Sequence, residues 1–342
     1  MAKNVLSPAN FLQKSQELPV IDVRSPAEYA HAHIPNAINV PLFNNEERAK
    51  VGTCYKQQGR DAAVRLGLAL IGPKLADFVR QADEIAPNRE VLVHCWRGGM
   101  RSGSFAWLLQ TAGFTAHLLE GGYKAYRNHV LSAFERPQNI VILGGKTGSG
   151  KTDILHELAK IGEQVIDLEA IAHHKGSSYG AIGQAPQPSS EQFENLLYSQ
   201  WAQLDSERRV WLEDESRHIG ACFIPLPLWQ QMQHVQQLVF VDIPKEVRIQ
   251  RLVREYACYD HQLLQKATER IKKRLGGQHY KAAIEALVQH DYATVADISL
   301  NYYDKAYLYG ISQHPAQQLI RLEVEDDNPT ATAKKILEAA IV

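Results

Sequence analysis

Residues 140–152 read IVILGGKTGSGKT, and this stretch decides the fold of the second half of the chain. The apolar run 140–143 has the length and β-branched content of a buried strand, and residues 151–160 have helical spacing. The turn between them matches G-x-x-x-x-G-K-[ST], a pattern in which backbone N–H groups at a helix N-terminus surround phosphate oxygens. The sequence therefore predicts a phosphate-binding loop, or P-loop, between a strand and a helix.

The same pattern assigns roles within this loop. Lys151 is expected to reach the terminal phosphate, and Thr152 can hold an Mg²⁺ ion, with no other metal ligand predicted with certainty. The apolar run 210–215 ends in acidic residues, which predicts either a strand end facing a metal or solvated carboxylates. The predicted diphosphate-binding residues are Gly145, Lys146, Thr147, Gly148, Ser149, Gly150, Lys151 and Thr152.

A second loop, residues 94–102, reads HCWRGGMRS and follows another apolar run. Successive N–H groups in a loop between a strand and a helix point inward, which favours an anion and a cysteine thiolate. Two arginines add positive charge that favours the thiolate, and two glycines let the backbone curl without a Cβ clash. Cys95 is therefore the predicted catalytic nucleophile. The anion loop around it comprises Trp96, Arg97, Gly98, Gly99, Met100 and Arg101.

The spacing H-C-x5-R-S suits cysteine phosphatases and also rhodanese-like domains, in which the cysteine carries a persulfide. Residues 21–29 (IDVRSPAEY) and 33–39 (HIPNAIN) resemble the N-terminal rhodanese signature, with Asn36 in place of the usual glycine. Residues 119–123 (LEGGY) resemble the C-terminal signature. A phosphatase needs a general-acid aspartate, and none can be assigned, because Asp22 is predicted to form a structural ion pair with Arg24. The rhodanese resemblance covers about residues 1–136.

Length and composition frame these two loops. A chain of 342 residues, 45% hydrophobic and 22% charged, predicts two globular domains. Strands and helices alternate on both sides of the polar break at 135–138, which predicts parallel sheets. The expected fold is α/β: an N-terminal rhodanese-like parallel-sheet domain over 1–136, then a C-terminal P-loop NTPase-like α/β domain over 137–342 with a helical C-terminal extension.

Charge and cysteine usage restrict the cellular setting. The net charge is −1, so any surface for a nucleic acid has to be local. Four cysteines with no CxxC pair indicate a reducing compartment. The N-terminus lacks the apolar core of a signal peptide, and no apolar run has the length of a membrane span. The sequence therefore predicts a cytoplasmic protein with no membrane partner.

The region 245–287 is mainly helical and basic. Residues 245–281 contain ten Lys or Arg against four Asp or Glu. This density is typical of a surface for phosphate backbones, although a solvated helix face or a lid over the P-loop ligand would have the same composition. The candidate residues for an RNA contact are Arg248, Arg251, Arg254, Arg270, Lys272, Lys273 and Arg274.

A rhodanese-like domain followed by a P-loop domain resembles the tRNA 2-selenouridine synthases, and the resemblance extends over the full chain. Residues 51–57 (VGTCYKQ), 144–148 (GGKTG) and 215–220 (ESRHIG) add to it. It implies an enzyme that modifies wobble 2-thiouridine in the tRNAs for Lys, Glu and Gln. The sulfur is geranylated from geranyl diphosphate, and selenium from selenophosphate then replaces the geranylthio group.

This resemblance implies a division of labour between the two loops. Cys95 would carry the selenium, the P-loop would hold the diphosphate of geranyl diphosphate, and the basic helices would bind tRNA. The selenium would come from selenophosphate or from its synthetase as a partner. An apolar groove for the geranyl chain could come from the helical pattern of Phe193, Leu196, Leu197, Tyr198 and Trp201, for which packing in the core is the alternative.

Three other functions fit parts of the sequence. The first is a rhodanese-type sulfurtransferase fused to an ATP-dependent kinase-like domain. The second is a regulatory binding module without catalysis, which the presence of Cys95, Lys151 and Thr152 disfavours. The third is a cysteine phosphatase. Binding of ATP against geranyl diphosphate separates the first of these from the selenium transferase.

Overall fold

The structure, a computed structural model, describes residues 4–313 and 318–340. The chain divides into two compact units, with the division between Ala133 and Phe134. Each unit is an α/β fold around a parallel sheet, so the predicted fold class is confirmed. In the described residues, no helix combines the length and the apolar character that crossing a membrane requires.

The first unit is built on five parallel strands in the order β1-β5-β4-β2-β3. The strands are β1 (Asn4–Leu6), β2 (Val20–Asp22), β3 (Ile38–Asn39), β4 (Glu90–His94) and β5 (Thr115–Leu119). The helices are α1 (Pro8–Lys14), α2 (Pro26–His31), α3 (Asn45–Gln58), α4 (Arg60–Ile71), α5 (Leu75–Ile85), α6 (Met100–Thr111) and α7 (Gly122–Ala133), with a 3₁₀ turn at Gly72–Lys74. Strand β4 lies at the centre of the sheet and is followed directly by Cys95.

A buried ion pair fixes the strand beside β4. Arg24 Nη2 lies 2.6 Å from Asp22 Oδ2, both side chains are at most 1% exposed, and the same nitrogen donates to the Ala32 carbonyl. The guanidinium also lies 3.8 Å from the centre of the Tyr123 ring. The predicted structural role of Asp22 and Arg24 is confirmed. Asn36 has a φ of 65°, a left-handed conformation that asparagine tolerates and glycine favours, which explains the substitution there.

The second unit has five parallel strands in the order β12-β11-β6-β8-β7. They are β6 (Ile140–Gly145), β7 (Gln164–Ile166), β8 (Val210–Glu213), β11 (Gln237–Asp242) and β12 (Gln318–Glu323), with a separate antiparallel pair formed by β9 (His218–Ile219) and β10 (Cys222–Phe223). The helices that precede the basic region are α8 (Lys151–Lys160), α9 (Leu168–Ala172), α10 (Ser190–Trp201) and α11 (Leu226–Gln233).

In the part of the chain that the structure describes, five helices lie between β11 and β12. They are α12 (Lys245–Tyr256), α13 (His261–Arg270), α14 (Lys272–Leu275), α15 (Gly277–Val288) and α16 (Tyr292–Gln313). We call residues 245–313 the helical insertion. The chain then returns to the sheet as β12, parallel to β11, and ends in α17 (Pro329–Ala339). The sequence had predicted a helical extension at the C-terminal end of the P-loop domain. The structure instead places the helical region inside the P-loop unit, between β11 and β12.

Candidate functional site

Cys95 occupies the carboxyl end of β4, just before the loop that opens α6. The residue is 3% exposed, and its Sγ lies 3.2 Å from the hydroxyl of Ser102 in the first turn of the helix. His94 precedes it and is fully buried, which lowers its pKa to about 4. The imidazole is therefore neutral at physiological pH and adds no charge beside the thiol.

The loop after Cys95 offers its amide groups to a ligand. Within the described residues, no N–H group from Trp96 to Met100 donates to a backbone carbonyl. The carbonyl of Cys95 accepts from Tyr123 N at 2.8 Å, and that of Trp96 accepts from Lys124 N at 3.0 Å. Because a trans peptide points its C=O and N–H in opposite directions, the N–H groups of the following residues face away from this contact. The predicted anion cradle has free donors.

Two glycines make this close approach possible. Gly98 and Gly122 both have positive φ, 63° and 62°. A Cβ on Gly98 would lie 2.8 Å from the Leu119 carbonyl oxygen, and one on Gly122 would collide with Gly98 N and Cys95 O. The LEGGY segment therefore holds the Cys95 loop through close backbone contacts, and the Tyr123 ring lies 5.8 Å from the Trp96 ring beside them.

The two arginines of the loop differ from each other. Arg101 Nη1 donates to Glu28 Oε2 at 2.8 Å, and this contact helps to lower the pKa of that half-buried carboxyl against its burial. The contact with Glu28 of α2 therefore largely offsets the charge of Arg101. The sequence had predicted that this charge favours the Cys95 thiolate, but the structure shows that it does not act on Cys95 alone. Arg97 is exposed and forms no ion pair within the described part of the chain. Arg97 is the cation that remains available to an anionic ligand.

The P-loop has the backbone that its sequence predicts. Gly148 and Gly150 adopt positive φ values of 81° and 75°, which a side chain would disfavour. Lys151 Nζ donates to the Gly145 carbonyl at 3.1 Å, and Lys146 Nζ donates to Asp242 Oδ1 at 2.9 Å at the end of β11. Lys151 thus lies folded over the loop, where the terminal phosphate of a diphosphate would replace the carbonyl as its partner.

Three carboxylates meet beside Thr152. One oxygen from each of Glu169, Glu213 and Glu215 lies within 4.8 Å of the others, and Thr152 Oγ1 donates to Glu213 Oε1 at 2.8 Å. Burial, reinforced by neighbouring carboxylates, raises the pKa of Glu169 and of Glu213 to about 8 and that of Glu215 to about 7. Glu213 is fully buried, and its second oxygen has no hydrogen-bond partner. A solvated strand end is therefore excluded for Glu213.

The helical insertion contacts the P-loop directly. Tyr307 on α16 accepts from Gly145 N at 2.8 Å and donates to Asp214 Oδ2 at 2.7 Å. Arg248 on α12 is 2% exposed, donates to both oxygens of Asp304 on α16, and donates to the Thr147 carbonyl at 3.2 Å. These contacts close the insertion onto the phosphate-binding turn.

A cavity of about 940 Å³ opens from this turn into the insertion. Its polar end is formed by the P-loop, Glu169 and Glu215. Its other walls come from residues 175–184 and from the insertion, which contributes Leu264, Leu287 and Val295, all buried in a common apolar cluster. The volume is that of a pocket for a small organic ligand, and one end carries the features of a phosphate site.

Comparison with known proteins agrees with this geometry. The model of the tRNA 2-selenouridine synthase AAA domain matches residues 138–334, and the rhodanese-like domain model matches 7–129. A tRNA 2-selenouridine synthase of Shewanella denitrificans is 34% identical over 90% of this chain and 92% of its own length. The chain belongs to the tRNA 2-selenouridine synthase family. Another such synthase, from Serratia proteamaculans, is 40% identical over 70% of this chain and 65% of its own length.

The structure of this family member divides the predicted basic surface. Arg248 is buried and cannot lie on a tRNA-binding face, because its guanidinium packs against Asp304 of α16 and the Thr147 carbonyl of the P-loop. Arg251 pairs with Asp153 and Asp327, and Arg254 also pairs with Asp327. The exposed members of the second cluster are Arg270, Lys272, Lys273 and Arg274.

The apolar residues suggested for the geranyl chain lie elsewhere. Phe193, Leu197, Tyr198 and Trp201 are at most 9% exposed on α10, and none of the five, Leu196 included, lines the cavity. They serve as core. Many of the residues that line the cavity instead belong to the insertion, where Tyr303 and Tyr307 gave no motif that sequence reasoning could detect. Ser102, whose hydroxyl contacts Cys95, lies within the H-C-x5-R-S pattern, but no role was predicted for it from the sequence.

Replacing Gly122 by Ala tests the backbone contact behind the Cys95 loop. The left-handed φ and the collision with Gly98 and Cys95 predict a loss of about 2–4 kcal/mol in the opening free energy of β4. Hydrogen-exchange mass spectrometry of peptides covering 90–94 measures it. The control is Gly103→Ala, a helical site with nothing within 4 Å, where a gain of about 0.5–1 kcal/mol is expected. Equal behaviour of the two variants would refute the contact.

Replacing Arg248 by Met tests the anchor between insertion and P-loop. Leaving Asp304 half-buried without its partner predicts a loss of about 3–5 kcal/mol in protection of α12 and α16 against hydrogen exchange. Arg254→Met is the control, since that side chain is 70% exposed and its surface ion pair contributes about 0–1 kcal/mol. A loss of protection as small as that of the control would contradict the anchoring role.

Proposed function

We propose that this chain converts wobble 2-thiouridine of tRNA to 2-selenouridine through an S-geranyl intermediate, with geranyl diphosphate and selenophosphate as co-substrates. The observation that carries the proposal is the cavity of the second unit, in which a P-loop and an apolar wall share one space. Membership of the tRNA 2-selenouridine synthase family supports the tRNA substrate and the selenium donor. The thiol loop of the first unit supplies the remaining chemistry.

Geranylation needs only the groups at the P-loop. The sulfur of 2-thiouridine attacks the allylic carbon of the donor, the carbon–oxygen bond to diphosphate breaks, and diphosphate leaves with the electron pair. The base then loses its N3 proton to give the neutral thioether. Lys151 and the loop amides stabilise the negative charge that develops on the leaving diphosphate.

The cavity suits a prenyl diphosphate better than a nucleotide. Beyond the P-loop, its walls offer the side chains of Leu264, Leu287 and Val295. Several tyrosine hydroxyls in the wall already have partners, including that of Tyr303, which accepts from Ser178 N at 3.1 Å. An apolar chain can therefore be buried against this part of the wall without leaving these hydroxyls unsatisfied.

Mg²⁺ fits the carboxylates beside Thr152. Three carboxylates and a hydroxyl are the oxygen ligands that this ion prefers, and the unpartnered oxygen of buried Glu213 needs a cation or a proton. Thr152, Glu169, Glu213 and Glu215 would hold the ion. When bound, it would neutralise charge on the diphosphate.

Selenium delivery is assigned to Cys95. Selenium in selenophosphate is at the selenide level, so a selenylsulfide on Cys95 would need a two-electron oxidant. The Cys95 thiolate would instead attack the phosphorus while the free amides of the loop and Arg97 hold the anionic donor, so that the phosphorus–selenium bond breaks and selenide leaves. S-alkylation activates C2 of the base, because the geranylthio group leaves more readily than the sulfur of the parent thiocarbonyl. A selenium nucleophile then forms the carbon–selenium bond, and geranylthiol departs. Water then cleaves the phosphorus–sulfur bond, which releases phosphate and restores the Cys95 thiol.

The tRNA contacts are assigned to the exposed basic cluster at the end of α13 and in α14. Arg270, Lys272, Lys273 and Arg274 lie within five consecutive positions and are exposed. The acceptors would be the tRNAs for Lys, Glu and Gln, and selenophosphate synthetase would be a partner. Both expectations, with a cytoplasmic location, rest on the family resemblance.

Replacing Cys95 by Ala separates the two reactions. With thiolated tRNA, geranyl diphosphate, selenophosphate and a thiol reductant, we expect geranylation within about twofold of wild type and loss of selenation, since only the second step uses the thiol. Nucleoside mass spectrometry measures both products. Cys258→Ala, which removes an exposed thiol, is the matched control and should retain both steps. Full selenation by the Cys95 variant would refute the assignment.

Direct binding identifies the ligand of the P-loop. Geranyl diphosphate is expected to bind more tightly than ATP in calorimetry, and Lys151→Met should weaken it about tenfold to a hundredfold through loss of a charge-assisted contact. Glu213→Gln should remove the dependence of this binding on Mg²⁺. Tight binding of ATP with none of geranyl diphosphate would instead favour a sulfurtransferase fused to a kinase-like domain.

A further inference from the structure

Helix α16 forms one continuous wall of the cavity. The lining residues recur along it with helical spacing, from Tyr292 through Val295, Ala296, Ser299 and Tyr303 to Tyr307. Residues three and four apart share a helix face, so this is a single stripe. At about 1.5 Å per residue, the stripe is about 22 Å long.

One end of this stripe is fixed at the phosphate site. The Tyr307 hydroxyl accepts from Gly145 N at 2.8 Å, so the helix has a defined register relative to the P-loop. Position along α16 therefore corresponds to distance from a bound diphosphate. The opposite end of the stripe, at Val295, belongs to the apolar cluster with Leu264 and Leu287.

Three tyrosines that line the cavity have their hydroxyls paired with protein groups. The Tyr179 hydroxyl pairs with Thr268 Oγ1 at 2.8 Å, that of Tyr303 with Ser178 N, and that of Tyr292 with His290 Nδ1 at 3.0 Å. These hydroxyls make no demand on a ligand. Small side chains at Ala296 and Ser299 leave room beside the helix, and larger ones at Val295 and Leu287 bound the space beyond them.

We propose that α16 selects the length of the prenyl chain, with the diphosphate held near Tyr307 and the end of the chain lying beside Ala296 and Val295. The inference rests on the proposed function and adds which residues set specificity. An isoprene unit is somewhat shorter than a helical turn of about 5.4 Å, so each added unit advances the chain end by about one turn of the stripe.

The test is Ala296→Leu, which fills the space where the chain ends. Prenyl transfer to thiolated tRNA is measured with dimethylallyl, geranyl and farnesyl diphosphate. We expect the ratio of kcat/KM for geranyl over dimethylallyl to fall about tenfold or more, because added methylenes in an apolar pocket discriminate by at least that factor. Ala293→Leu places the same side chain on an exposed position of the same helix outside the stripe, and should leave the ratio unchanged.

A complementary variant, Leu287→Ala, enlarges the far end and should raise the use of farnesyl relative to geranyl diphosphate. It keeps the inference testable if Ala296→Leu fails to fold. An unchanged chain-length ratio in a folded variant that still transfers geranyl would overturn the inference alone. Binding of inorganic pyrophosphate to the wild-type protein shows that the P-loop is intact. If such a protein binds none of the three prenyl diphosphates, both the proposed function and this inference are overturned.

Discussion

The buried pair between Arg248 and Asp304 holds the second unit in its functional form. Its guanidinium joins α12 to α16 and reaches the Thr147 carbonyl within the P-loop. Without it, the half-buried carboxylate of Asp304 and a loop carbonyl would lose their partner, which costs more than losing an exposed pair would. Because the same helix α16 places Tyr307 on Gly145 N, the cavity and the phosphate site are fixed by one set of contacts.

The first unit uses a similar device on a smaller scale. There the buried pair of Asp22 and Arg24 stabilises the strand next to β4, and Arg24 also packs against the Tyr123 ring. The backbone amide of Tyr123 in turn holds the Cys95 carbonyl. In both units an arginine buried with an aspartate acts on the loop at the carboxyl edge of a parallel sheet. Such edges are where ligands bind in open α/β folds.

Sequence reasoning succeeded where function lies in a short continuous segment. The P-loop and the Cys95 loop are each specified by local glycines and flanking elements, so the structure could be anticipated there. It failed where a role depends on distant partners. The periodic arginines of α12 gave no sign that Arg248 meets Asp304, and the apolar spacing of α10 fits core and groove equally well. The proximity of Glu169 and Glu213 also could not be predicted from their spacing in the sequence, because it results from the order of the strands in the sheet.

The apolar wall of the cavity has a consequence for the protein without its donor. Leu264, Leu287 and Val295 line the cavity and also belong to the small core that holds the insertion together. A ligand chain lying against them completes that core, so occupancy and local stability are thermodynamically linked. A free ligand concentration a hundredfold above Kd would add about 2.7 kcal/mol to the free energy of unfolding of the insertion. Under the proposed function, scarcity of geranyl diphosphate would then leave these helices more open to proteolysis, which would couple the cellular level of the protein to the supply of that donor.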